Sequence, residues 1–316
     1  MSPTPKIFVA GGGKALGSAI LRAFEAAGQG AFVGRGAAEP NLRDQRAVDA
    51  FFEAERPDWV VYAAGKAGGI GLNRRAPADL ILDNLLSATH VIHAAHRCGA
   101  AKLLYLASSC VYPKNAAQPI REDSLYTGPL EPTNLAYASA KLAGLELCRA
   151  IRQQHGADFN IAVPTNYFGP GDDFSPENSH VVGALMARMR AAKAAGDAEL
   201  AVWGTGRARR EFLYVDDVAD AAVFLMAQHS WEGPLNIGSG SAVSIAELAQ
   251  MLKEITGYAG RLTFDTSKPD GMPVKVLESS RLAGLGWSPK VALAQGLAQT
   301  YDWYLNQNES QNITER

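Results

Sequence analysis

The sequence predicts an α/β protein: a doubly wound parallel sheet joined to a smaller C-terminal lobe. Three observations carry that expectation. Short apolar runs alternate with segments of helical period from residue 6 onward, the pattern of successive βαβ units. A glycine cluster, Gly11 to Gly13, stands between the first apolar run and the first helical segment. The chain has 316 residues, of which 47% are apolar, enough for a cofactor-sized core and a second, smaller one.

Lys6 to Ala10 (KIFVA) reads as the first strand. In ALGSAILRAFEAAG the residues Leu16, Ile20 and Phe24 recur every four positions, and Gly28 can end the helix. Strand, glycine turn and helix in this order place backbone N–H groups and a helix N-terminus against a pyrophosphate. The turn comprises Gly11, Gly12, Gly13, Lys14, Ala15, Leu16 and Gly17. Gly11 and Gly17 hold the outer places of a G-x-x-G-x-x-G pattern, and Lys14 takes the middle one. The next strand, GAFVGR, ends at Arg35. A basic residue there accommodates a 2′-phosphate, whereas an acidic one would bind a ribose 2′-hydroxyl. Lys14 and Arg35 therefore favour NADPH over NADH, with Glu39 as a competitor; both cations also read as solvated surface charges. Helix RAVDAFFEAE, strand PDWVVYAAG, helix LILDNLLSATHVIHAAHRCG and strand AKLLYLASS follow. In such a Rossmann-type sheet ligands sit beyond the carboxyl ends of the strands, where Ala63, Ala64 and Ser108 fall.

Tyr137 and Lys141 lie four apart in a segment of good helix formers, so they share a face. An ammonium beside a phenol favours the phenolate and is expected to lower the tyrosine pKa, making it a proton donor to a developing alkoxide. Tyr62 and Lys66 have the same spacing, but Tyr62 falls in a strand, where four residues span about 13 Å. Tyr62 is read as core and Lys66 as a turn residue. Ser108 ends a buried strand, and its hydroxyl can hydrogen-bond a substrate carbonyl. Strand end followed by a helix bearing Tyr-x-x-x-Lys resembles the layout of the short-chain dehydrogenase/reductases, here their extended branch. Cys110 points to the same side as Ser108 if the strand continues. It reads either as a small buried hydrophobe or as an acid/base beside a keto group.

IAVPTNYFGPGDD reads as a strand entering a turn. The helix in SPENSHVVGALMARMRAAKAAG is expected to be capped by Asn178 or Ser179, with His180 at its start and Arg188 two turns on. AVWGTGRARREFLYVDDVADAAVFLM gives a strand, a turn with Arg207, Arg209 and Arg210, and a helix from Val215. Clustered arginines suit a diphosphate, or form a solvated basic loop. Ser244 and Glu247 have capping-box spacing. No internal repeat is visible.

Thirty basic side chains nearly balance thirty-two acidic ones, so no field for nucleic acid or a membrane is expected. The three cysteines, Cys98, Cys110 and Cys148, lack metal-type spacing and suggest free thiols; no metal is expected. With no signal-like start and no spanning apolar run, a cytoplasmic protein is expected.

From about Lys6 to Tyr304 the sequence resembles the GDP-L-fucose synthases, the NADPH-dependent 3,5-epimerase/4-reductases of GDP-4-keto-6-deoxy-D-mannose. The strings AAGKAGGI, ASSCVYP, LEPTNLAYASAK, PTNYFGP, NSHV, REFLYVDD and SKPDGMPVKVL carry the resemblance. It implies Tyr137 as proton donor, Lys141 as its tuning and ribose-binding partner, Ser108 on the keto oxygen, and Cys110 with His180 as the epimerase acid/base pair. It implies cofactor contacts at Gly11 to Gly17, Arg35, Ala63, Ala64, Leu106, Ala107, Ser108, Lys141, Pro164, Thr165, Asn166, Tyr167 and His180. Substrate contacts are implied at Arg188, Trp203, Arg210 and Glu278. A homodimer is implied, with an NADP-binding domain over 1–166 to which 212–237 returns and a substrate lobe over 167–305; the polar composition of 306–316 is read as a mobile tail. Lys14, Asp83, Asp173 and Glu278 depart from the family's usual residues. Other readings are an enzyme for a related GDP-deoxysugar, such as colitose or a modified heptose, and a non-catalytic NADP-binding protein. Arg35 argues against a UDP-sugar 4-epimerase retaining NAD.

Overall fold

The computed structural model describes residues 4–175, 178–228 and 230–314. In its first half strands and helices alternate: β1 (Lys6–Ala10), α1 (Ala15–Ala26), β2 (Ala31–Val33), α2 (Gln45–Glu55), β3 (Trp59–Tyr62), α3 (Ile70–Arg75), α4 (Pro77–Cys98), β4 (Lys102–Leu106), α5 (Leu135–His155) and β5 (Phe159–Pro164). The caps explain several boundaries. The Asp44 carboxylate accepts the N–H groups of Arg46 and Ala47 at the start of α2. Gly99 and Gly156 take the left-handed conformation that ends α4 and α5.

The second half is less regular. It comprises β6 (Asn166–Phe168), α6 (Val181–Ala195), β7 (Glu199–Trp203), β8 (Arg209–Arg210), β9 (Phe212–Tyr214), α7 (Val215–Gln228), β10 (Pro234–Ile237), β11 (Val243–Ser244), α8 (Ile245–Thr256), β12 (Arg261–Asp265), β13 (Val274–Lys275), α9 (Ser280–Gly284) and α10 (Leu293–Thr314). The Ser244–Glu247 capping box opens α8. His180, rather than Asn178 or Ser179, is the N-cap of α6, and its side chain makes no cap bond. Ser179 is spent on the Ser175 carbonyl, and Asn178 accepts from Arg75. Residues 306–314 of the polar tail continue α10.

One six-stranded sheet has the order β10-β5-β4-β3-β1-β2, parallel throughout. It is the predicted doubly wound Rossmann-type sheet. Alternation along β1 sends Phe8 to one face and Ile7 and Val9 to the other. The first face packs on α2, α4 and α5 through Phe52, Val91 and Leu145; the second packs on α1 and α7 through Ile20, Phe24 and Ala222. Each such valine, leucine, isoleucine or phenylalanine side chain, fully buried, contributes about 1.5–3 kcal/mol. A third core holds the C-terminal lobe, where α6, α8 and α10 close over Leu200, Val202 and Phe212. β10 pairs with β5, so the chain re-enters the sheet after its excursion through the lobe.

Tyr62 is fully buried in β3, with its hydroxyl 2.7 Å from Ser87 Oγ, and it belongs to the core. The strand does not run on from Ser108 to Cys110. β4 stops at Leu106, and Ser109–Val111 form one turn of 3-10 helix, at whose start the Ser108 hydroxyl accepts the Cys110 N–H. Among the described residues no helix is long and apolar enough to cross a membrane.

Candidate active site

At the carboxyl end of β1 the chain turns through Gly11 into α1. Gly11 has φ +84°, and a Cβ there would stand 2.8 Å from the Ala64 Cα. A Cβ on Gly17 would stand 2.0 Å from the Gly11 carbonyl oxygen. Both outer glycines are thus required by backbone contact. The middle position is not: Lys14 is the N-cap of α1 in an extended conformation, φ −100°, which any residue adopts. No side chain caps α1, and its first turn carries no acidic residue, so its amides remain available to an anion. This cradle fits a dinucleotide diphosphate. Glu39, not Arg35, reaches the turn: its carboxylate accepts the Gly11 N–H. Burial raises its pKa, against lowering by that bond and by Lys14. Arg35 instead meets Glu25 at 2.6 Å and lies 5.3 Å over the Phe32 ring.

At the ends of β3 and β4 the carbonyls of Ala64 and Leu106 accept from the Lys141 ammonium, at 3.2 and 3.1 Å. Lys141 is only 5% exposed, and its Nζ also lies over the rings of Tyr62 and Tyr105. Burial lowers its pKa to about 8. The neighbouring Ala107 amide is spent on the Ala162 carbonyl. Tyr137, one turn earlier on α5, is in hydrogen-bond contact with Ser108. The expected lowering of the tyrosine pKa does not occur. Burial raises it strongly, the proximity of Cys110 and Tyr167 adds to this, and only the Ser108 bond opposes. The cause is desolvation, with the Lys141 charge turned toward carbonyl oxygens. The phenol therefore keeps its proton, as a donor must.

The 3-10 turn after Ser108 carries Cys110 toward Tyr137. Its sulfur lies 3.1 Å from Asn134 Nδ2 and 3.5 Å from Lys275 Nζ. His180 faces the same lysine: burial lowers its pKa first, Lys275 lowers it further, and Asp173 opposes. Ser108, Cys110, Tyr137 and, through Lys275, His180 are thus gathered beside the glycine turn. The loop holding Gly171 closes on that turn, since a Cβ at Gly171 would lie 3.1 Å from the Ala15 Cα.

The model of the family described as NAD dependent epimerase/dehydratase matches residues 7–238. The chain belongs to that family, alongside the GDP-L-fucose synthases. It is 54% identical to a probable GDP-L-fucose synthase 1 of Oryza sativa subsp. japonica over 95% of this chain and 92% of that one. It superposes with TM-score 0.88 on a GDP-L-fucose synthetase of Naegleria fowleri bound to NADP, at 29% identity over 98% and 96% of the chains. A GDP-6-OMe-4-keto-L-xylo-heptose reductase of C. jejuni gives TM-score 0.90 at 31% identity over 98% and 99%.

In this epimerase/dehydratase frame the switch from sheet to lobe runs through Pro164 to Tyr167. Thr165 and Asn166 both donate to the Glu211 carbonyl, and Tyr167 borders Tyr137. Arg188 donates to the Ala201 carbonyl on β7, which ends at the 55% exposed Trp203. Of the clustered arginines, Arg210 is placed on the Cys110 side, donating to the Asp270 carbonyl at 3.0 Å. Arg209 is taken by Glu247 and the Ala242 carbonyl. The Glu278 carboxylate accepts from both the amide and the hydroxyl of Ser280 at the start of α9. Asp270 stands nearer the arginine, accepting from the Thr205 amide and hydroxyl. Asp83 pairs with Arg43 and Lys66, and Asp173 accepts the Ser175 amide. The sequence reading missed Lys275, Asn134 and Asp270. All three lie in the strings SKPDGMPVKVL and LEPTNLAYASAK, which carried the resemblance without assigning them a role; the register Lys275↔Arg210 exists only in three dimensions.

Proposed function

We propose that this chain is the NADPH-dependent enzyme that converts GDP-4-keto-6-deoxy-D-mannose to GDP-L-fucose, by epimerisation at C3 and C5 and reduction at C4. We place it in the cytoplasm as a homodimer. The observation that carries the reading is the convergence of Ser108, Tyr137 and Cys110 beside a diphosphate-binding glycine turn, with His180 sharing Lys275.

The C4 ketone acidifies the protons at C3 and C5, because the electron pair released is held as an enolate. Cys110 and His180 remove a proton from one face and return one to the other. Gly11 to Gly17, Lys141 and Pro164 to Tyr167 would hold NADPH, which supplies the hydride for C4. Ser108 fixes the keto oxygen, and Tyr137 gives it a proton. Arg188, Trp203, Arg210 and Glu278 contact the substrate. Incubation with the keto-sugar and NADPH, with NMR of the product, tests the assignment; a colitose- or heptose-type product would replace it.

Cys110→Ser is expected to slow solvent deuterium incorporation at C3 and C5 by roughly 10²-fold or more, as for loss of a general base. Unchanged exchange would return the cysteine to packing. Arg35→Ala is expected to weaken NADPH about tenfold or more, the size of a hydrogen bond to a charged group, and to leave NADH nearly unaffected. An equal effect on both cofactors, measured by titration, would remove Arg35 from 2′-phosphate recognition.

A further inference from the structure

We infer that Lys275 and Asn134 are positioning residues that hold the Cys110 sulfur as a thiolate, making it the base of the epimerase pair. The inference rests on the epimerase reading above.

Two donors converge on one sulfur. Asn134 Nδ2 lies 3.1 Å away and Lys275 Nζ 3.5 Å away. A neutral thiol is a weak acceptor, and two N–H donors suit a thiolate far better. Lys275 is 6% exposed, and among the described residues no carboxylate lies within ion-pair distance of it. A buried ammonium without an anion is costly. The strand pairing sharpens the point. β13 sets Lys275 in register with Arg210 on β8, and like charges abreast repel. Arg210 is also within electrostatic reach of Cys110, so an anionic sulfur offsets both cations. Glu211 fixes the arrangement: its amide donates to the Lys275 carbonyl at 3.2 Å, and its carboxylate accepts the Leu277 N–H at 2.9 Å.

The groups facing Cys110 are Lys275 from β13, Arg210 from β8, Asn134 at the start of α5 and Tyr137 within it. Glu131 lies beyond Arg210 and is paired with Lys114 at 3.2 Å. In the step itself the sulfur takes the proton from C3 or C5: an S–H bond forms, the C–H bond breaks, and the electron pair moves onto the C4 oxygen. His180 returns a proton to the opposite face. The same lysine that steadies the thiolate makes the protonated imidazole a stronger acid.

The test is alkylation of Cys110 by iodoacetamide across pH, without substrate or cofactor, in a Cys98→Ser background; Cys148 is fully buried. Lys275→Met is expected to slow alkylation at neutral pH by on the order of tenfold and to move the profile to higher pH, the effect of losing a cation within a few ångströms. Lys275→Arg restores most of it, and Asn134→Ala gives a smaller change of the same sign. NADPH titration confirms that each variant is folded. An unchanged profile in a folded Lys275→Met overturns the inference and leaves the lysine to the substrate diphosphate. Deuterium exchange separates the two claims. If Cys110→Ser does not slow exchange, the cysteine loses its epimerase role, whereas the alkylation profile still decides what Lys275 and Asn134 do to the sulfur.

Discussion

Tyr137→Phe is expected to leave NADPH binding intact and to lower 4-reduction by roughly 10²–10⁴, the range for loss of a general acid. The phenol is buried, its proton is held more firmly than in water, and its hydroxyl meets Ser108. Removing one oxygen therefore deletes the donor without opening a cavity. The cost to folding is bounded by the lost Ser108 bond, about 1 kcal/mol, and Ser108 still accepts the Cys110 amide. Single-turnover NADPH oxidation with the keto-sugar measures the effect, and near-normal turnover removes Tyr137 from the reaction. The same assay on the unaltered enzyme reads Lys141. Its ammonium, lowered to about 8 by burial, is present below that pH and lost above it. Reduction should accordingly decline as pH rises through about 8, and a flat alkaline limb would detach the lysine from the step. Deuterium exchange in Tyr137→Phe should persist, because Cys110 and His180 act before the reduction.

The residues legible in advance were those whose chemistry is fixed by short-range pattern. A parallel sheet buried on both faces writes itself as apolar runs, and β1, β3, β4 and β5 were readable for that reason. Tyr137 and Lys141 were legible because a helix makes positions four apart neighbours. The control pair Tyr62 and Lys66 failed because a strand does not. Electrostatics were less legible. The Tyr137 shift came out opposite to expectation, since a sequence shows that a lysine is near but not that Ala64 and Leu106 carbonyls hold it. Lys275 and Asp270 were invisible for a different reason. They approach Cys110 and Arg210 across 165 and 60 positions of chain, through two-residue strands with no periodicity to read. Glu278 adds a further case: the sequence around it does not show that its carboxylate accepts from the Ser280 amide and hydroxyl at the start of α9.

Gly17→Ala should be strongly destabilising. Its Cβ would meet the Gly11 carbonyl oxygen at 2.0 Å, the Gly11 carbonyl carbon at 2.5 Å and the Gly12 Cα at 2.9 Å. All three are backbone, so no side chain can rotate away and the turn itself has to move. Overpacking of this kind costs about 1–3 kcal/mol or more, and the strain falls on the segment that sets the amides of α1. The expected result is a lower urea midpoint with unchanged slope, together with at least a tenfold loss of NADPH affinity. Gly13→Ala is the matched control. Nothing lies within 4 Å of its added Cβ, and its φ is not in the left-handed region, so stability should stay within about 0.5 kcal/mol. Equal midpoints for the two variants would refute the claim that the turn is held closed by contact between Gly17 and Gly11. A midpoint lost in Gly17→Ala alone would locate the sequence constraint in the outer glycines. That is also why lysine is tolerated between them: the middle position is extended backbone, and its side chain is free to add charge to an anion site built from amides.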